Sequence, residues 1–268
     1  MRILFKRVIE LSSDDTFVHF QNDLSEKVYN ALGQGYSADE NEIGLIKRLI
    51  GAINGQSYRG IRIFATILHG TRSYVEFNYL DKPVTKELGD MAVISLVTDG
   101  AERLLQKICI VQNKKAKEQS WGIDAEQLYL LKNFPSFSGN KGIFRKCKNM
   151  AFRNVSGCLG AYALLSSPGE MVLASAPLVT EMLRGRKTLS ISDLSVLPNT
   201  NPSRWNSHSF ALPWWQFFPW HHPKEIFLLL EELWHHYGYA MGLQNIGNRF
   251  LGNVNFSRDV YDFIRDWT

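Results

Sequence analysis

Apolar residues in ADENEIGLIKRLIGAIN recur at three- and four-residue steps, at Ile43, Ile46, Leu49, Ile50 and Ile53. That spacing predicts an amphipathic helix, capped by Ser37 or Asp39 and ended at Gly55. The pattern then shifts to β-rich runs, RGIRIFATILHG and SYVEFNYL, parted by a hairpin-like break at Gly70-Thr71-Arg72. Asp81-Lys82-Pro83 reads as a turn or loop. Two further apolar runs, MAVISLV and LLQKICIV, flank the polar break from Thr98 to Arg103. Both are apolar on both faces, which predicts central strands rather than edges. If the chain folds back near Ala101, Asp90 and Gln112 are equidistant from the turn and face each other. Facing residues of an antiparallel pair have Cβ atoms roughly 4.5–5.5 Å apart. Side chains alternate along a strand, so Lys114 shares a face with Gln112.

Further on, SWGIDAEQLYLLKNF predicts a helix capped by Asp124, with Leu128, Leu131 and Phe134 on one face. A basic loop follows, carrying Lys141, Arg145, Lys146, Lys148 and Arg153. GAYALLSS and MVLASA form a hairpin about Pro168-Gly169, and Leu178 to Leu183 a short helix followed by an exposed RGRK. Residues 190–223 are rich in Ser, Asn, Pro and Trp and read as a long irregular loop; Pro223 opens a helix through KEIFLLLEELWHHYGYAMGL. The first 35 residues carry no clear pattern, LFKRVIELSS being compatible with a strand or a short helix. The expected architecture is an α/β fold with a mixed sheet. It divides into an N-terminal segment (1–37), a core (38–185) and a helical, aromatic-rich C-terminal extension (186–268).

Composition narrows the class. A chain of 268 residues, 45% hydrophobic and 21% charged, can bury a sizeable core, and a net charge of +4 does not by itself argue for a nucleic-acid partner. Cys109, Cys147 and Cys158 have no CxxC spacing and are odd in number, which fits a reducing compartment. MRILFKRVIE lacks the form of a signal peptide, and no apolar run approaches the roughly 20 residues of a membrane span. A soluble, cytoplasmic protein without a membrane partner is expected.

An acid, an amide and a lysine at one end of a buried hairpin are the chemistry that this pattern points to. Together with a glutamate-bearing helix before them and a second helix after, Asp90, Gln112 and Lys114 resemble the PD-(D/E)xK nuclease superfamily over roughly residues 38–168. The resemblance implies a restriction-endonuclease-like αβββαβ core. Its metal-binding aspartate falls on Asp90, its second acidic position on Gln112, as in the QxK variant of Mrr-like enzymes, and its lysine on Lys114. The helical glutamate falls most naturally on Glu42, with Glu40 as an alternative and Glu76 and Glu87 as further acids. Gly89 stands where the family's proline is usual.

The implied activity is metal-dependent endonucleolytic hydrolysis of DNA, with Mg²⁺ as the cation and Mn²⁺ as its substitute. Mg²⁺ takes oxygen ligands in an octahedral shell. Asp90 offers an anionic ligand, Gln112 its amide oxygen and Asn113 its backbone carbonyl, with Glu42 or Glu87 supplementing them; Lys114 orients the attacking water. Lys115, Lys117, Lys141, Arg145 and Lys146 are the expected contacts to the DNA backbone. Gln127 and Tyr129 sit on the following helix, where relatives place polar residues over the site. By analogy with the superfamily, the biological role is a restriction or anti-phage effector, acting as a homo-oligomer or beside a sensing or NTPase subunit.

The rival sites are weaker. His222 and His235 are thirteen positions apart, which in a helix is roughly 20 Å. Adjacent His235 and His236 diverge by about 100° around a helix. The glycines of GAING and GLQNIGNRFLGN lack the strand-to-helix context of a phosphate loop, and no GxSxG is present. Cys109 lies in an apolar strand and reads as core. Trp214, Trp215 and Trp220 define the competing class: a non-catalytic nuclease-like scaffold that binds a partner protein through its Trp-rich loop.

Overall fold

A computed structural model describes residues 15–68, 73–141, 145, 147–151 and 159–194. LFKRVIELSS, the Gly70-Thr71-Arg72 break, Lys146, Arg153, Cys158, the Trp-rich loop and the C-terminal histidine helix lie outside the described residues.

The chain forms a mixed α/β fold. Helix α1 (Asp15–Ser37) leads into α2 (Glu42–Ile53). Asn41, rather than Ser37 or Asp39, caps α2: its side chain accepts a hydrogen bond from Gly44 N. Strands β1 (Ser57–Tyr58), β2 (Ile61–Ile67), β5 (Met91–Asp99), β6 (Glu102–Lys115), β9 (Gly160–Ser166) and β10 (Glu170–Ser175) make a six-stranded sheet in the order β1-β2-β5-β6-β9-β10. β2, β5 and β6 are antiparallel neighbours, β9 runs parallel to β6, and β10 returns antiparallel to β9. The two runs that are apolar on both faces thus hold the centre of the sheet.

The sequence places β2 and the following run as hairpin partners, and the structure separates them. β3 (Tyr74–Tyr79) pairs with β4 (Lys82–Glu87) and with β8 (Phe137–Gly139) in a second, three-stranded sheet. The turn is Leu80-Asp81 rather than Asp81-Lys82-Pro83. Both of its residues have positive φ, +49° and +61°, the left-handed pair that matches a two-residue hairpin. Pro83 is accommodated because β4 is an edge strand. β7 (Ser120–Gly122) and β11 (Thr188–Ser190) pair separately. Among the described residues, three more helices follow: α3 (Ala125–Asn133) after β7, α4 (Ala176–Leu183) after β10 and α5 (Ile191–Leu194) after β11.

Alternation along the central strands divides the core in two. Met91, Val93, Cys109, Val111, Ala161 and Ala163 pack against Leu24, Val28 and Leu32 of α1 and Leu45, Leu49 and Ile53 of α2. Ala92, Ile110, Tyr162 and Leu164 face the other way, onto Leu130 and Leu131 of α3, Val179 of α4 and Val75 and Phe77 of β3. Fully burying each such aliphatic side chain contributes about 1.5–3 kcal/mol. α1 is therefore an integral wall of the core, and Phe20 near its start stacks on Tyr58 of β1 with ring centroids 5.3 Å apart. Among the described residues, no helix is long and apolar enough to cross a membrane.

Candidate active site

The β5–β6 hairpin sets the site. Pairing runs Met91 with Val111, Ala92 with Ile110 and Val93 with Cys109, the register that opposes Asp90 to Gln112. The turn itself is Gly100-Ala101 between the Asp99–Glu102 pair, one half-residue off the predicted centre, and a register shift between Val97 and Thr98 absorbs the difference. Asp90 is anchored on both sides by its backbone: its N–H donates to Val111 O at 2.9 Å, and its carbonyl accepts from Leu68 N at 2.7 Å. Gly89 has no room for a side chain, since a Cβ there would fall 2.6 Å from Ile110 Cγ2. A proline at that position would require this packing to shift.

Asp90 is only 1% exposed, and its Oδ2 accepts two hydrogen bonds, from Gln112 Nε2 at 2.5 Å and from Asn113 N at 2.6 Å. Charge-assisted bonds of this kind are roughly twice as strong as neutral ones. Gln112 is 5% exposed, and its Oε1 has no hydrogen-bond partner among the described residues. Asn113, on the opposite face of β6, is fully buried, and neither of its side-chain amide atoms has a partner among the described residues. Lys114 is half-buried on the Gln112 face, with no hydrogen bond or ion pair among the described residues. The acid, amide and lysine of the sequence pattern thus gather at one end of the hairpin.

Several of the other predicted residues are held by contacts of their own. Lys115 turns to the α1–α2 side: its Nζ donates to Glu40 O at 2.8 Å, sits 5.3 Å from the centre of the Tyr36 ring and lies 3.6 Å from Asp39. Glu40 is held by Arg48 through two hydrogen bonds of 2.6 and 2.9 Å, which keep its carboxyl below the usual range. Glu42 opens α2 and raises the pKa of Tyr36, although burial of that phenol is the larger cause. Glu76 accepts from Asn140 Nδ2 on the small sheet, and Glu87 ends β4, its carbonyl accepting from Gln127 Nε2 at 2.9 Å. Among the described residues, no three His, Cys, Asp or Glu side chains gather around a common point. Lys117, Lys141 and Arg145 are exposed. Tyr129 packs against Phe77 and Tyr79.

Two polar features escaped the sequence reading. Lys86 bridges Asp124 and Glu126 at 2.9 and 2.8 Å, tying β4 to the start of α3. Burial opposes the charge on both Lys86 and Asp124; at Lys86 the bonds to Glu126 and Asp124 outweigh it and raise the pKa, and at Asp124 the Gln127 N–H, followed by Lys86, outweighs it and lowers the pKa. Tyr162, paired with Gln112 across the parallel β6–β9 ladder, is fully buried, and its hydroxyl has no partner among the described residues. A lone phenol in the otherwise apolar run GAYALL was the available signal for it.

The residues at Asp90 are chemically suited to a hard cation. The donors at hand are oxygens: the Asp90 carboxylate and the Gln112 amide carbonyl, which has no partner among the described residues. The Gln112 amide turns its nitrogen to Asp90, so sharing a cation requires a half-turn of the amide that brings Oε1 inward. Comparison with protein-family models, with curated proteins and with solved structures finds no match.

Proposed function

We propose that this chain is a metal-dependent endonuclease of the PD-(D/E)xK type, hydrolysing phosphodiester bonds in DNA. The order α2–β2–β5–β6–α3–β9 supports the reading, since it traces αβββαβ with the last core strand parallel to the third. The observation that carries it is the Asp90–Gln112 contact with a half-buried Lys114, without a partner among the described residues, two positions along the same face. Bound Mg²⁺ supplies charge neutralisation at the phosphate and a nucleophile from water at neutral pH. Asp90 and Gln112 Oε1 would hold it. Lys114 contributes a positive charge beside the phosphate and orients the water. Lys117, Lys141 and Arg145 offer exposed charge for the DNA backbone, so binding weakens steeply with salt. A restriction or anti-phage effector, self-associated or paired with an NTPase or sensing subunit, is the biological setting we favour by analogy.

The burial of Asp90 favours one alternative: a non-catalytic scaffold on this framework, binding a partner protein through the Trp-rich segment around Trp214, Trp215 and Trp220. Plasmid cleavage with Mg²⁺ or Mn²⁺ separates the two. Activity in the parent chain, lost in Lys114→Ala and Asp90→Asn variants that remain folded by circular dichroism, is the expected result. Cleavage surviving both substitutions refutes the site. Absence of cleavage across duplex, single-stranded and RNA substrates favours the scaffold.

A further inference from the structure

On the α3 side of the sheet, an acceptor without a donor stands next to a donor without an acceptor. Gln112 Oε1 and the Tyr162 hydroxyl are both buried and unpartnered among the described residues, and their residues pair across the β6–β9 ladder. Neighbouring strands lie about 4.8 Å apart, so the two side chains rise from adjacent points on one face. Leaving either group dry costs more than an ordinary hydrogen bond contributes. The two do not bond directly, whereas one water, with two bonds of roughly 2.8 Å, spans oxygens roughly 4.5–5.5 Å apart. Polar buried sites of this kind are where ordered waters reside.

We propose that Tyr162 is a positioning residue of the metal-free chain: through one buried water its hydroxyl holds Gln112 Oε1, which keeps the amide nitrogen on Asp90 Oδ2 and fixes the carboxylate's orientation, a hold that the half-turn of the amide toward a cation would release. The relay runs from β9 through β6 to the start of β5, three strands that meet at this end of the sheet. Tyr162 remains a donor throughout the physiological range. Burial pushes its phenol pKa upward, and the Asp124 and Asp90 carboxylates add to the shift. The relay stands on packing and does not depend on the reaction proposed above.

A double-mutant cycle in the full chain tests it, using Tyr162→Phe, Gln112→Met and the pair, with urea unfolding in EDTA and without DNA. The combined change in the unfolding constant should fall short of the product of the single changes by about fivefold. Agreement with that product to within about twofold overturns the proposal. A second measurement uses Tyr162→Phe alone. In side-chain amide NMR, exchange of the Gln112 Nε2 protons should quicken about tenfold, reflecting loss of the hold on the amide. The Gln127 amide, bonded to Glu87 O, serves as the internal control and should be unchanged. Equal exchange at Gln112 in parent and variant also overturns the relay. A failure of DNA cleavage leaves both measurements intact.

Discussion

Replacing Asp90 with alanine removes the acceptor for two buried donors at once, Gln112 Nε2 and the Asn113 backbone N–H. Gln112 and Asn113 are 5% and 0% exposed, so solvent cannot readily take the carboxylate's place. Each stranded donor costs about 1–3 kcal/mol. Against this, alanine relieves the expense of burying a charge, which in proteins amounts to several kcal/mol unless the ion is well bonded. Because two buried donors converge on one oxygen, we expect the stranded donors to dominate and Asp90→Ala to lose about 3 kcal/mol. Asn at the same position keeps a carbonyl that can accept and gives up only charge assistance, so Asp90→Asn should lose about 1–2 kcal/mol. Urea titrations followed by circular dichroism give both values by linear extrapolation, with the slope serving as a check that the unfolded states are comparable. An Asp90→Ala variant within about 1 kcal/mol of the parent, or one more stable than Asp90→Asn, would refute the account of Asp90 as the anchor of this corner.

Asp124→Asn keeps an N-cap on α3 and removes the charge facing Lys86. With one partner half-exposed, the pair should contribute about 0.5 kcal/mol. The folded-state pKa of Asp124 lies below its ordinary 3.8, so this stability is present above that value and disappears as pH falls through the folded pKa. Parent and variant unfolding curves should therefore converge at acid pH, and a gap that persists there contradicts the assignment. Lys115→Ala should cost about 1 kcal/mol through its lost bond to Glu40 O while leaving the salt slope of DNA binding unchanged; Lys117→Ala should lower that slope by about 1. Gly160→Ala places a Cβ 2.0 Å from Leu131 O, so α3 must retreat from β9. The expected penalty is about 3 kcal/mol, a fall in Tm of roughly 6–12 °C by differential scanning calorimetry.

The hairpin around Asp90 was legible because both arms are apolar on both faces and polar residues bracket them symmetrically; a bulge took up the half-residue error in the turn without changing the register at the site. The cap of α3 was legible for a similarly local reason, a carboxylate directly before the first helical residue. α1 was passed over although Phe20, Leu24, Val28 and Leu32 recur at four-residue steps, because polar residues fill the intervals between them. β4 was hidden by its own composition, KPVTKE, which only an edge strand would carry. The pairing of Gln112 with Tyr162 links positions fifty residues apart, and the separation of β2 from β3 depends on which sheet each joins. Neither is encoded in a local pattern. The side of β6 taken by Lys115 followed directly from alternation once α1 and α2 were known to cover the odd-numbered face.

The bond from Leu68 N to Asp90 O, 2.7 Å long, closes the neck of everything between β2 and β5. The β3–β4 hairpin thus hangs from the large sheet like a cassette whose two ends are already clasped. Exchanging it for a shorter or longer connection would cost little in loop entropy, because the distance to be spanned is fixed by the clasp and not by the insert. The insert's apolar side, Val75 and Phe77, shields α3, so a replacement has to bring its own cover for that helix. Variation in this segment can therefore remodel the surface beside the site while the anchor of Asp90 stays where β2 and β6 hold it.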